Sequence, residues 1–374
     1  MNIEIKEVEN RNDLRNFIRF PHTIYKGNPY WVPALDFDEV NTLSPEKNPA
    51  YQYCQAKCWL AYKDGKPVGR ITGIINPRAD SKWNQKHARF GWVDFIDDVE
   101  VSTALFTQVE TWAKENGMEA VHGPLGFTDL DREGMLIEGF EELGTLATNY
   151  NHSYYPEHIE KLGYGKSIDW VEYEIDVPNP PNETIERMAK ISARRNNLKL
   201  ISFSRKKDLI KRAKELFSLL EEAYKQLYGV APLSDEQIEA YIDQYLGFVK
   251  AEYVPIVVNE KNEMVAFGIV MNSLSVALQR SKGALFPFGF IHLIQALWKN
   301  DRADLYLIGV APEYQGKGVN AMLMNHINQM LVKNKVKVVE SNPELETNGN
   351  VQSQWKFFDV RQHKRRRCYI KQLS

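Results

Sequence analysis

Three cysteines, Cys54, Cys58 and Cys368, are too few for a disulfide framework. No histidine or further cysteine completes a metal-ligand spacing around them, so no metal is expected. A reducing, cytoplasmic setting suits free thiols of this kind. Charge excess is also lacking: 47 Lys and Arg face 49 Asp and Glu, a net of -2. That balance gives no global electrostatic case for nucleic acid. The opening MNIEIKEVENRNDLRNFI has no basic-then-apolar leader pattern. The most apolar segment, Ala284 to Trp298, is too short to span a bilayer and carries Pro287 and His292. We read it as a buried helix beginning near Pro287; the other reading is a wall for an apolar substrate tail. Asp129, Asp131 and Glu133 sit in a glycine-rich stretch, but their spacing falls short of a calcium loop.

What is present points to a mixed α/β fold in two domains, the default for 374 residues. Ile3 to Val8 alternates as a strand, and Arg11 to Phe20 follows as a short helix. An aromatic stretch with Pro21, Pro29 and Pro33 reads as a loop packed onto the core; the other reading is that Tyr25, Tyr30 and Trp31 cover a substrate cleft. A hairpin turns at Asp64-Gly65. A strand from Arg89 and a helix Val101 to Asn116 follow, and the strand Asp169 to Asp176 ends the first half. The proline cluster from Pro178 reads as a linker. The second half repeats the order. It has helices Glu183 to Asn196, Lys207 to Tyr228 and Ser234 to Val249, and a hairpin around NEKNE. Then come a strand Leu305 to Val310, a helix to about Asn334, a strand Val336 to Ser341, a helix from Asn350 to Phe358 and a basic last strand. This is the layout of a diverged duplication, with units 1–177 and 178–374.

One stretch, Leu305 to Met330, carries a recognisable chemistry. An apolar strand stops at Pro312, Gln315-Gly316-Lys317-Gly318 follows, and a helical apolar rhythm begins at Val319. Strand, glycine loop and helix start together can hold a phosphate, because glycines permit a sharp turn and the first helical amides face the anion. The first half has Asp97-Asp98-Val99-Glu100 at the matching place, a poor seat for a pyrophosphate.

The segment VAPEYQGKGVNAML resembles the acyl-CoA-binding motif of the GNAT superfamily of N-acyltransferases. Gln315 and Gly318 match its Gln/Arg-x-x-Gly-x-Gly/Ala core, Val310 and Pro312 match the approach, and Asn320 departs from the usual Gly or Ala. The resemblance implies two such domains in tandem, the first without a cofactor loop and the second carrying the acyl-CoA site. It implies that Leu307, Ile308, Gly309 and Val310 hold the pantetheine arm. Gln315, Gly316, Lys317, Gly318, Val319 and Asn320 would then hold the pyrophosphate. Acetyl-CoA, or another acyl-CoA, is the implied co-substrate. The acceptor is a small-molecule or peptide amine that attacks directly, in a monomer or homodimer.

The family's proton-donating tyrosine position is occupied here by Trp355, which has no acidic proton. Tyr314 and Tyr369 are the substitutes, and Trp355 stays as a substrate contact. Glu340 is either a general base or a solvated strand-end carboxylate. Asn342 and Asn348 either orient substrate or make local turns. HKRRR, His363 to Arg367, either attracts CoA phosphates or an anionic substrate or is the solubilising face of an edge strand, the reading we prefer. Two other functions stay open: a non-catalytic CoA-binding or interaction protein, and a transferase using a longer acyl-CoA or an aminoacyl-tRNA.

Overall fold

A computed structural model describes residues 3–245 and 249–374. The first half supplies strands β1 (Ile3–Glu7), β2 (Gln55–Lys63), β3 (Lys66–Ile75), β4 (His87–Phe95), β5 (Ala120–Gly123), β6 (Met135–Glu138) and β7 (Gly165–Asp176). The second supplies β8 (Lys199–Ile201), β9 (Ile256–Val258), β10 (Met264–Asn272), β11 (Arg302–Val310), β12 (Val338–Ser341), β13 (Glu344–Leu345) and β14 (Val360–Gln372). β1 to β4 form an antiparallel meander, and β4 then pairs in parallel with β5. β8 to β11 repeat the meander, and β11 pairs in parallel with β12. Each parallel step needs a crossover. Helix Val99–Glu115 supplies one and helix Val319–Lys333 the other.

The halves meet by exchanging their last strands. β14, from the end of the chain, pairs with β5, while β7 pairs with β12. β7 and β14 also pair with each other, from Val360↔Ile175 to Ile370↔Gly165, so all the strands join one sheet of fourteen. The pairings therefore run across the expected boundary at residue 177.

This places HKRRR at the centre of the sheet, which corrects the edge-strand expectation. The cations face carboxylates instead of solvent. Lys364 and Arg366 are buried and meet Glu340 and Glu172, also buried. On the other face Arg365 and Arg367 bond Asp169; Arg361, on the same face as Lys364, bonds Glu142 and Glu174. A bulge at His363 lets two successive side chains, His363 and Lys364, both turn inward.

Other expectations need adjustment. The helix Lys207 to Tyr228 is two pieces, Lys206–Ile210 and Ala213–Tyr224. Asn350 to Phe358 is a short helix Gly349–Gln352 followed by a tighter turn, Ser353–Phe357. The helix Ser234 to Val249 is seen as Asp235–Tyr245; the expected continuation through 246–248 lies outside the described residues. The segment Ala284 to Trp298 is not a buried helix. Its helical part, Gly289–Trp298, buries Gly289 and Leu293 and turns Phe290, Ile291, Ile294 and Trp298 outward. Among the described residues no helix is long and apolar enough to cross a membrane.

Removing one member of a buried pair strands the other charge in a dry site. Arg366→Ala should lower unfolding free energy by about 3–5 kcal/mol, read from the urea midpoint, because Glu172 loses its closest cation. A loss under about 1 kcal/mol, the worth of an exposed pair, would show that the ladder is not what holds the two halves.

Candidate active site

β11 outruns its partner. Its pairing with β12 ends at Leu305↔Ser341, and Asn342 then bonds the carbonyls of Leu305 and Tyr306 through its amide and side chain. Beyond that point the β11 edge is open to a cavity of about 1150 Å³ lined by both halves. The Tyr224 hydroxyl donates to the Ile308 carbonyl at 3.1 Å. A strand residue directs its N–H and C=O to one edge, so the Ile308 N–H shares that side.

The glycine loop follows. Gly316 and Gly318 have φ of 72° and 78°, the left-handed region that other residues enter only with strain. Gly318 is the N-cap of Val319–Lys333, and no side chain caps that helix. The loop is tied on both sides. Gln315 donates to the Val310 carbonyl at 3.1 Å, and Ser192 and Asn196 donate to the Lys317 carbonyl at 3.0 and 3.3 Å. The Asn320 Oδ1 is buried with no hydrogen-bond partner, an acceptor aimed at a missing donor. The matching helix of the first half begins differently: the Asp98 carboxylate bonds the Glu100 amide at 2.9 Å and Lys63 at 2.7 Å. Tyr155 and Tyr154 hydroxyls also occupy the Phe95 amide and carbonyl, at 3.0 and 2.6 Å.

Of the residues named from sequence, Leu307 to Val310, Tyr314, Gln315, Gly316, Gly318 to Asn320, Asn342, Asn348 and Trp355 line the cavity. Lys317 does not; its ammonium lies over the Tyr314 ring, 5.2 Å from the centroid. Asn348 caps the short helix at Val351. Glu340 and Tyr369 lie elsewhere. Glu340 is held by Lys364 and by His363 at 3.4 Å. Burial pushes its carboxyl up, but those two neighbours bring it below the ordinary value. Tyr369 is buried in the first half's core and donates to Glu160 at 3.0 Å.

The cavity instead presents Glu344, which sequence reasoning passed over. Trp355 Nε1 donates to both of its oxygens at 3.1 Å, and burial pushes the carboxyl up to about 8. Nothing in the loop SNPELET sets Glu344 apart from Glu346; the Trp355 contact eleven residues on does so. The first half adds more carboxylates to the same space. Burial raises Asp38 to about 7 and Asp131 to about 6, and lifts Glu133 well above the carboxylate range. Asp38 Oδ1 and Glu133 Oε1 have no hydrogen-bond partner, while Glu39 is engaged by Arg132. Among the described residues no cluster of His, Cys, Asp or Glu has the arrangement of a metal site.

A strand edge opened beside an uncapped helix and a two-glycine turn is the arrangement of a site for a phosphate-bearing ligand. Residues 213–357 match the Acetyltransferase (GNAT) family. The chain is 28% identical over 373 residues to Protein YghO of Escherichia coli (strain K12), covering 97% of this chain and 94% of that one. It is 23% identical over 334 residues to the bacterial ceramide synthase of Caulobacter vibrioides (strain NA1000 / CB15N), covering 86% and 84%. A tandem GNAT protein from the clavulanic acid biosynthesis pathway shares the fold at TM-score 0.58 and 12% identity, covering 100% and 99%. A GCN5-related N-acetyltransferase from Sphaerobacter thermophilus does so at 0.54 and 12%, covering 99% and 96%. Residues 213–357 are thus similar to the GNAT family, which generally uses an acyl-CoA as co-substrate, and the whole chain shares the fold of a tandem GNAT protein.

The loop geometry fits that co-substrate. Valine at 318 would have to hold φ near 78°, at a cost of about 1–2 kcal/mol or more for a branched side chain. Gly318→Val should weaken CoA binding at least about tenfold by calorimetry and leave the melting temperature within a few degrees. Unchanged binding would place the phosphate site elsewhere.

Proposed function

We propose that the protein transfers an acyl group, longer than acetyl, from acyl-CoA to the nitrogen of an apolar amine. The observation that carries this reading is the cavity. It runs from the glycine loop to the carboxylates of the first half, it is mostly apolar between them, and its 1150 Å³ exceeds the usual span for small ligands. The CoA arm takes the glycine-loop end of that volume, and the apolar stretch beyond it has room for an acyl chain. The relative named a ceramide synthase supports the size class, since a ceramide is the amide of a fatty acid and a long-chain amino alcohol.

The residues take distinct parts. Gly316, Gly318 and the first amides of the following helix hold the donor's phosphates, and Asn320 offers a buried acceptor beside them. Bound acyl-CoA supplies an activated acyl carbon and a thiol leaving group. The Ile308 N–H faces the acyl oxygen and stabilises the negative charge that gathers there. Asp38, Asp131 and Glu133 line the first half's end of the cavity and offer hydrogen-bonding oxygens to the amine. Glu344, held by Trp355, takes the proton that the nitrogen must lose. Tyr314 faces the cavity and donates to the departing sulfur. The self-capped helix at Asp98 supports a single cofactor site.

Acyl transfer to a long-chain amine should rise from acetyl- to octanoyl- and palmitoyl-CoA; equal rates for all three would sink the chain-length claim. A pH profile tests Glu344. Below about 8 its carboxyl is protonated and cannot accept, so kcat/KM should climb as pH rises through that value. Glu344→Gln should lose roughly 100- to 10,000-fold activity and the rising limb together. A variant that keeps the limb would assign the base to another group.

A further inference from the structure

The segment expected to be buried holds the most exposed large apolar side chains among the described residues. Phe286 and Trp298 are 80% and 81% exposed; Phe288 caps helix Gly289–Trp298, on which Phe290 and Ile294 are exposed, and Val276 is exposed on the preceding helix Ser275–Ser281. Isolated exposed apolar residues are ordinary on a soluble surface; a contiguous aromatic patch is not. Its charge pattern is one-sided. Between Glu263 and Asp301 the sequence has no acidic residue, while Arg280, Lys282 and Lys299 are exposed at the margins of the patch. Lys250 adds a fourth cation, its ammonium 3.5 Å from the Trp298 carbonyl. The nearest acids are engaged: Asp301 faces Lys337 at 3.7 Å, and Asp36 bonds Arg19 at 3.1 Å.

We propose that this patch docks the protein on the surface of an anionic lipid bilayer. Aromatic rings and aliphatic side chains on one face, with cations at the rim, make up the pattern of a helix lying in the headgroup plane. A second copy of the chain fits the patch poorly. A two-fold contact would set this cationic rim of Arg280, Lys282 and Lys299 against a rim of the same charge. The inner face ties docking to the site. Leu293, with Ala296 and Leu297, packs in one cluster with Leu35, Met271, Leu274 and Tyr306, and these four also line the cavity. The membrane would thus lie one layer of side chains from the cavity, on the side from which a lipid-soluble amine or acyl chain arrives.

Vesicle flotation of the full chain tests this. Vesicles of phosphatidylglycerol and phosphatidylethanolamine should carry the protein, and pure phosphatidylcholine should carry much less. Raising salt to about 1 M, where charge attraction is screened within a few ångströms, should release a large part. Phe286→Ser, Phe288→Ser and Trp298→Ser combined should weaken partitioning at least about 100-fold, since three aromatic side chains no longer enter the acyl boundary. The triple variant exposes no new core, so its melting curve should match the parent's. No flotation of the parent overturns the proposal, as does equal flotation of the variant. A dimer that the variant dissolves, in a protein that ignores vesicles, overturns it in favour of self-association. No acyl donor or amine is present, so the outcome is independent of the reaction proposed above.

Discussion

The two halves stand or fall on the contact between β7 and β14, where buried cations of one strand meet buried carboxylates of its neighbours. Lys364 is in register with Glu172 and reaches Glu340 on β12; Arg366 closes on Glu172 from the next position along the same face. Ion pairs this deep add little net stability over an apolar core. Their effect is on register. Side chains alternate across a sheet, so a slip of one residue would turn Lys364 and Arg366 onto the opposite face and leave Glu172 and Glu340 without countercharge. Because β7 and β14 are exchanged, that register also sets how the first half's carboxylates face the second half's glycine loop.

The duplication itself shows how one fold yields two different ends of a cavity. Both copies build strand, crossover helix and parallel strand, and both strands outrun their partners. In the first copy Asp98 and two tyrosines fill the helix start and strand edge from within the chain. In the second copy a glycine stands where the cap would be. Substituting one kind of residue for another at a helix start separates a closed structural module from an open binding one.

Local patterns were legible in the sequence where the signal was local. Hairpin turns, the two crossovers and the glycine loop each declare themselves within about ten residues. HKRRR did not, since a run of cations looks alike on an edge and in a ladder of buried pairs; the carboxylates that decide it lie at 169, 172 and 340. The same reason took Glu340 into the ladder and Tyr369 into the first half's core, and left Glu344 unremarked. The apolar segment from Ala284 was misread as buried because composition reports hydrophobicity and not which face has a partner. Asn320, odd against the family pattern, proved to carry an orphaned buried oxygen at the loop.

Strand exchange has a consequence for how the protein is made. β5 is completed by Tyr369 to Gln372, within a few residues of the end of the chain. A ribosome therefore releases the first half with one sheet edge still bare, and that edge must wait through about two hundred further residues for its mate. The thirteen-residue strand β14 joins β5 to β7, and β7 in turn carries β12 of the second half. Without it β5 and β6 lose their partner on that side and the first half's sheet is cut off from β7.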